Sequence, residues 1–375
     1  KRASKSLPFG LALLFFALFL PLRATHAAES QLEWMRTEQL LKKQQRGQSL
    51  TSIEQAQLDR ALANRAAEAK KGPKPDTGPF DAVPLTEMGQ TRYQREDGGL
   101  YTGGSNTPPA ALLAATTSAT ARITPLSAEG KPAVDGKVVL LSIGDSATSL
   151  EFSRFKQLAE ADPGKSTRLI LVDGAQASQD SKQIADPKAG YWTNLDARLH
   201  DAGVSPLQVQ VLWVKVSVAG PSKLGFPDEA RNLQDHLATI AFISKQKFPN
   251  AQITYFSSPT YAGYAKTRLN TEPSAFESAF AIQWLIQDQL KGDPMLNWEP
   301  ASGKKAHVPL CLWGPYLWTS GDHGGRKDGM IWSKEDVTAD GTHPSPSGQQ
   351  KVAELLLNFF KTDENARTWF LKAAR

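Results

Sequence analysis

Between residues 138 and 256 four short apolar runs recur, separated by stretches with helical spacing. They are Val138–Ile143, Arg168–Asp173, Val209–Val214 and Gln252–Phe256. Each is continuous rather than alternating, as expected of a strand buried on both faces. Helical stretches are expected at about 147–161, 191–202, 228–247, 274–291 and 347–361. Strand and helix in turn at this spacing predict a parallel sheet with helices on both faces. In such sheets ligands bind beyond the carboxyl ends of the strands, so the residues just after each strand are where chemistry is expected.

After the first strand stands Gly144-Asp145-Ser146. A serine that ends a strand and opens a helix exposes its hydroxyl at the sheet edge, and its own N–H points toward a developing oxyanion. The same triplet also reads as a plain turn glycine followed by a helix N-cap. Serine needs a base oriented by a third group to become a nucleophile. Asp340-Gly-Thr-His343-Pro344, just before the last helix, offers one. A carboxylate three residues before a histidine in a tight turn can hold one ring nitrogen and leave the other to take a serine proton. Alone, this segment reads equally as an Asx-turn before a capped helix; together the two segments support each other.

On these residues the chain resembles the SGNH-hydrolase superfamily of GDSL-type esterases and lipases over roughly 137–361. Gly144-Asp145-Ser146 looks like the first block of that family and Asp340-Gly-Thr-His343-Pro344 like the last. The resemblance implies a three-layer, flavodoxin-like α/β fold. It also implies Ser146 as nucleophile, His343 as general base and acid, and Asp340 orienting it, with no cofactor. The family's second block lends a glycine N–H to the oxyanion hole, and Gly174, in Asp173-Gly-Ala-Gln176, stands at that place. The third block departs from the family pattern Gly-x-Asn-Asp: Leu212-Trp-Val-Lys215-Val-Ser217 has no asparagine. Lys215, Ser217 and Gln176 are the candidates to replace it. Losing one oxyanion donor typically costs on the order of a hundred- to a thousandfold in turnover.

Aromatic residues in two segments are expected to build the substrate surface. Tyr261 and Tyr264 follow the fourth strand; Trp313, Tyr316 and Trp318 precede the Asp-His segment. Exposed aromatics suit stacking on a sugar ring, although each also reads as packing at the sheet edge. His323 with Asp322 and Asp328 fits no strong metal-ligand spacing, so no metal is expected.

The ends of the chain frame this domain. Lys1, Arg2 and Lys5 precede an uncharged run from Phe9 to Leu22, then small residues up to Ala28, the layout of a secretory leader over 1–27. Removing it takes away four basic residues and no acid, turning the net charge from +5 to +1. Nucleic acid is therefore not an expected partner. The expected location is secreted or periplasmic, with a membrane tether only if the leader stays uncleaved. Residues 28–70 read as a helical extension, with Thr51-Ser-Ile-Glu54 as a capping box. Residues 71–130 read as a linker and an irregular segment, and 131–365 as the hydrolase-like domain. The single cysteine, Cys311, excludes an intramolecular disulfide and reads as buried packing.

The expected activity is a serine esterase cleaving carboxylic esters through an acyl-enzyme on Ser146, with short acyl groups on carbohydrate as substrates. The rival is a non-catalytic module of the same fold that binds envelope polysaccharide, suggested by the absent third-block asparagine. A third reading makes the 28–70 helices a partner-binding arm.

Overall fold

A computed structural model describes residues 82–220, 224–299 and 305–372, with Leu40, Glu54 and Gln57 as helical positions. The chain divides into two compact units, Lys1–Pro73 and Lys74–Arg375. The leader over 1–27, most of the 28–70 extension and the start of the linker lie outside the described residues. Among the described residues no helix is long and apolar enough to cross a membrane.

The second unit begins with α1 (Leu85–Met88), a two-residue hairpin β1 (Arg92–Tyr93) and β2 (Glu96–Asp97), and α2 (Ala110–Thr120). It continues with β3 (Val138–Gly144), α3 (Ser146–Ala161), β4 (Leu169–Asp173), α4 (Ser181–Ile184) and α5 (Gly190–Asp201). Then come β5 (Val209–Lys215), α6 (Asp228–Lys247), β6 (Ile253–Phe256), α7 (Ser274–Leu290), β7 (Leu310–Trp313), α8 (Pro346–Thr362) and α9 (Arg367–Phe370). The main sheet is wholly parallel, in the order β4-β3-β5-β6-β7. Every residue of β3 and β5 is buried, which explains why the runs that form them carry no alternation. Right-handed crossovers put α3, which leads outward to β4, on one face and α5, α6 and α7 on the other. In agreement, α3 packs on α8, and α6 on α7. This is the three-layer, flavodoxin-like α/β architecture expected from the sequence. The fifth strand, β7, is Leu310-Cys-Leu-Trp313, which the sequence shows only as the apolar stretch around Cys311.

Residues 82–130 are part of this unit rather than a linker to it. Leu85, Met88, Tyr101, Leu112 and Ala119 belong to the core. The Leu85 N–H donates to Tyr316 Oη at 3.0 Å, Trp313 Nε1 donates to the Leu100 carbonyl at 2.8 Å, and Trp284 Nε1 donates to Glu96 at 3.1 Å. Tyr93 stacks on Phe280 at 5.9 Å. The segment therefore covers aromatic side chains around β7 and α7. Helix α2 escapes a reading by periodicity because its buried stripe is Leu112, Thr116, Ala119 and Thr120. The spacing is helical, but threonine and alanine carry it. At the other end, Trp369 and Phe370 of α9 also enter the core, past the expected boundary at 365.

Replacing Leu85, which is fully buried, by alanine is expected to cost about 2–5 kcal/mol in urea unfolding, as for other core truncations. A linker residue would give a change below about 0.5 kcal/mol.

Candidate active site

Ser146 owes its place to the turn at the end of β3. Gly144 lies in register with Lys215 of β5, and a Cβ there would sit 2.1 Å from the Lys215 carbonyl oxygen. Only glycine allows that approach. Asp145 then caps α3, its carboxylate accepting from the Thr148 N–H at 3.1 Å. Thr148 Oγ1 donates to the Lys215 carbonyl at 2.6 Å and ties the first turn of the helix to β5. Ser146 is the first residue of α3. No carbonyl precedes its N–H in the helix to accept from it, so this donor is available at the positive end of the helix dipole.

The histidine is presented by a second tight turn. Gly341 adopts φ +71°, and a Cβ there would lie 1.8 Å from the Tyr264 carbonyl oxygen. Asp340 Oδ1 accepts from the Thr342 N–H at 2.9 Å, the His343 N–H at 3.1 Å and Thr338 Oγ1 at 2.7 Å. Its Oδ2 lies 2.5 Å from His343 Nδ1. Burial opposes ionisation of Asp340, but the His343 ring and the other donors outweigh it and hold the carboxyl well below the usual carboxylate range. An ionised Asp340 fixes the proton of the ring on Nδ1. Nε2 is then the acceptor facing Ser146 Oγ, 2.8 Å away. The three side chains form one continuous line from carboxylate to hydroxyl.

This line opens into a cleft of about 420 Å³ at the carboxyl edge of the sheet. Its walls come from the loops after the strands: Ala177–Asp180 after β4, Lys215–Ser217 at the end of β5, and Pro259, Thr260, Leu269 and Asn270 after β6. The long loop after β6 is anchored by Glu272, a buried carboxylate. Its Oε1 accepts from the Ala262 N–H and from Trp318 Nε1, both at 2.8 Å; its Oε2 accepts from the Phe276 N–H at 3.1 Å. The same loop clamps the Asp340–His343 turn: the Lys266 N–H donates to the Asp340 carbonyl at 2.9 Å, and Lys266 Nζ to the Ala339 carbonyl at 2.8 Å.

The remaining candidates from the sequence fall into two groups. Lys215 and Ser217 line the cleft. Lys215 Nζ, however, lies 2.8–3.0 Å from the Glu151 carboxylate in a buried ion pair. Burial pushes the Glu151 carboxyl up, and Lys215 opposes that shift. Gly174 and Gln176 do not line the cleft. The Gly174 N–H donates to Ser142 Oγ at 3.1 Å, and the Gln176 side chain is spent on the Tyr191 carbonyl at 2.8 Å and on Asn194 at 3.1 Å. Gly174 is small for packing: a Cβ would lie 2.5 Å from the Ser142 carbonyl. Downstream, Ser178 has φ +59°, an uncommon conformation for serine, and sits in the cleft wall.

The aromatics expected on the substrate surface are elsewhere. Tyr261, Trp313, Tyr316 and Trp318 are buried in the core, and Tyr264 packs against it with its hydroxyl on the Trp332 carbonyl at 3.1 Å. Residues 82–109 roof part of this cluster, and that segment offered no periodicity from which to foresee it. Asn270 and the 177–180 wall carried no motif either; only their positions after strands place them. Cys311 is buried, and burial pushes its thiol up to about 12. Among the described residues no cluster of metal-ligating side chains occurs.

No family model and no curated protein matches the chain. Among solved structures it is similar to a proposed acylhydrolase from Bacteroides fragilis, with 10% identity over 70% of this chain and 100% of that one, at a TM-score of 0.36. It is similar to the catalytic domain of peptidoglycan O-acetyltransferase A from Streptococcus pneumoniae, with 12% identity over 64% and 99% of the two chains, at 0.27. A salicylyl-acyltransferase of a tetracycline biosynthetic pathway matches with 13% identity over 60% of this chain and 54% of that one, at 0.29. The site described above stands on its own geometry, and these likenesses say nothing of substrate. The three-layer α/β architecture agrees with the fold that the sequence resemblance implied.

Burial pushes Glu272 up to about 7, against the Ala262, Trp318 and Phe276 donors and with a contribution from the nearby Glu277 carboxylate. A folded-state value above the ordinary one near 4.5 means that ionisation costs stability as pH rises from about 4.5 through about 7. The Tm of Glu272→Gln relative to the parent protein is therefore expected to climb across that window and level off above it. A difference that stays flat with pH would place the Glu272 value near that of a free carboxyl.

Proposed function

We propose that the chain is a serine ester hydrolase that works through an acyl-enzyme on Ser146. The observation that carries this reading is the continuous line from Asp340 through His343 to Ser146 Oγ, with contacts of 2.5 and 2.8 Å, opening into a cleft. A pure binding module has no need of that line. Ser146 Oγ attacks the ester carbonyl while His343 Nε2 takes its proton. The Oγ–acyl bond forms, the proton passes from His343 to the departing alkoxide, and the alcohol leaves. Water, deprotonated by the same nitrogen, then attacks the acyl carbon and releases the acid and the serine. The Ser146 N–H is one donor to the oxyanion.

Polar side chains of the cleft wall, Gln179, Thr260 and Asn270, support a hydroxyl-rich alcohol such as carbohydrate bearing a short acyl group. The names of the matched proteins, which concern acyl transfer and acyl hydrolysis, are compatible with the ester chemistry. The leader-like residues 1–27 support a secreted or periplasmic site of action.

A fluorophosphonate probe is expected to label Ser146, as mapped by mass spectrometry, and labelling is expected to vanish in His343→Ala. Asp340→Asn should retain the fold and lower kcat by roughly 10²–10⁴-fold, because the ring loses its tautomer. A folded protein with no adduct on Ser146 would refute the esterase reading.

A further inference from the structure

An ester oxyanion is commonly held by more than one donor, and the Ser146 N–H is one here. After β4 the first three N–H groups are committed: Gly174 to Ser142 Oγ at 3.1 Å, Ala175 to Asp173 at 3.1 Å, and Gln176 to the Gly144 carbonyl at 3.0 Å. At the end of β5 the Lys215 ammonium is paired with Glu151 in the interior, and Ser217 offers one short hydroxyl. Two side-chain amides with no hydrogen-bond partner among the described residues line the cleft, Gln179 and Asn270. Of these, Asn270 is short and its backbone is held on both sides. The Arg268 carbonyl accepts from Gly220 at 2.7 Å and the Thr271 carbonyl from Ala275 at 3.0 Å. Glu272, two residues on, is the buried anchor of the loop. Asn270 and Ser217 both border the cleft and a second, smaller cavity. A preorganised donor on a fixed backbone is what oxyanion stabilisation requires, whereas Gln179 has a longer side chain with one more torsion to order.

We propose that Asn270, carried by the loop after β6, is the side-chain oxyanion donor of this site. The proposal rests on the esterase reading. With p-nitrophenyl acetate as substrate, Asn270→Ala is expected to lower kcat by roughly 10²–10³-fold while KM shifts less than about threefold, the split expected for an interaction made in the transition state. The rate of fluorophosphonate labelling at Ser146 should fall with kcat. The isosteric Asn270→Asp, which sets a carboxylate against the developing charge, should fall further, and it keeps the test open if the alanine variant folds poorly. Gln179→Ala should lower kcat less than Asn270→Ala does. Retained kcat in Asn270→Ala, a rise in KM alone, or the main loss in Gln179→Ala would each overturn the assignment while leaving an active Ser146 in place. Failure of the parent protein itself to label or to hydrolyse would instead overturn the esterase reading, and this proposal with it.

Discussion

No side chain fits at the end of β3. A Cβ on Gly144 would meet the Lys215 carbonyl at 2.1 Å and Thr148 Oγ1 at 2.6 Å. The close approach of β3 and β5 at this point lets Thr148 bond to the Lys215 carbonyl, fixes the first turn of α3, and so sets the direction of Ser146 Oγ and of its N–H. The Gly144 carbonyl takes the Gln176 N–H and the Gly144 N–H donates to Tyr191 Oη, so the loop after β4 and helix α5 are referred to the same residue. One contact between two central strands thus locates Ser146, the nearest cleft wall and the positive end of helix α3.

A second dense point sits across the cleft. Gly341 lies so close to the Tyr264 carbonyl that the Asp340–His343 turn cannot move independently of the loop after β6. That loop is closed by Glu272, which burial penalises in its ionised form. The Lys215–Glu151 pair presents the same economy beneath Ser146: two charges taken out of water, held at 2.8–3.0 Å. Buried pairs of this kind contribute little net stability compared with apolar packing and are costly to break one partner at a time. Glu151 belongs to α3, the helix that begins at Ser146, and Glu272 to the loop that clamps the Asp340–His343 turn, where fixed geometry matters more than stability.

What could be read from the sequence followed the physics of burial. Strands β3, β4, β5 and β6 announced themselves because a strand covered on both faces must be apolar throughout, and the helices between them kept their spacing. Ser146, Asp340 and His343 were legible because turn glycines and chemistry-bearing residues stand together in short segments. Strand β7 was not: it is as long as β6, but Pro309 interrupts its apolar stretch, Val308–Trp313, and a proline within a run argues against a strand. Helix α2 buries threonine and alanine, which hydrophobicity cannot register. The aromatics from Tyr261 to Trp318 were read as surface because nothing in residues 82–109 signals that they cover a core. Gly174 illustrates a further limit: a glycine after a strand serves close packing as readily as it serves an oxyanion, and only the hydrogen bond to Ser142 tells the two apart.

The absent asparagine after β5 carries a related lesson. In a parallel sheet the loops after neighbouring strands all emerge at one edge, so a donor beside Ser146 can be supplied from the end of β5 or from the loop of the adjacent β6 with little change in the backbone. Sequence order separates Ser217 and Asn270 by more than fifty residues, yet both border the same two cavities. A motif defined along the chain records one of these routes only. What the chemistry constrains is the placement of an amide near the carbonyl oxygen under attack, together with a backbone stiff enough to keep it there. The buried anchor at Glu272 and the clamp on Asp340 give the β6 loop that stiffness, and they make it a sounder carrier for the donor than the short hydroxyl of Ser217.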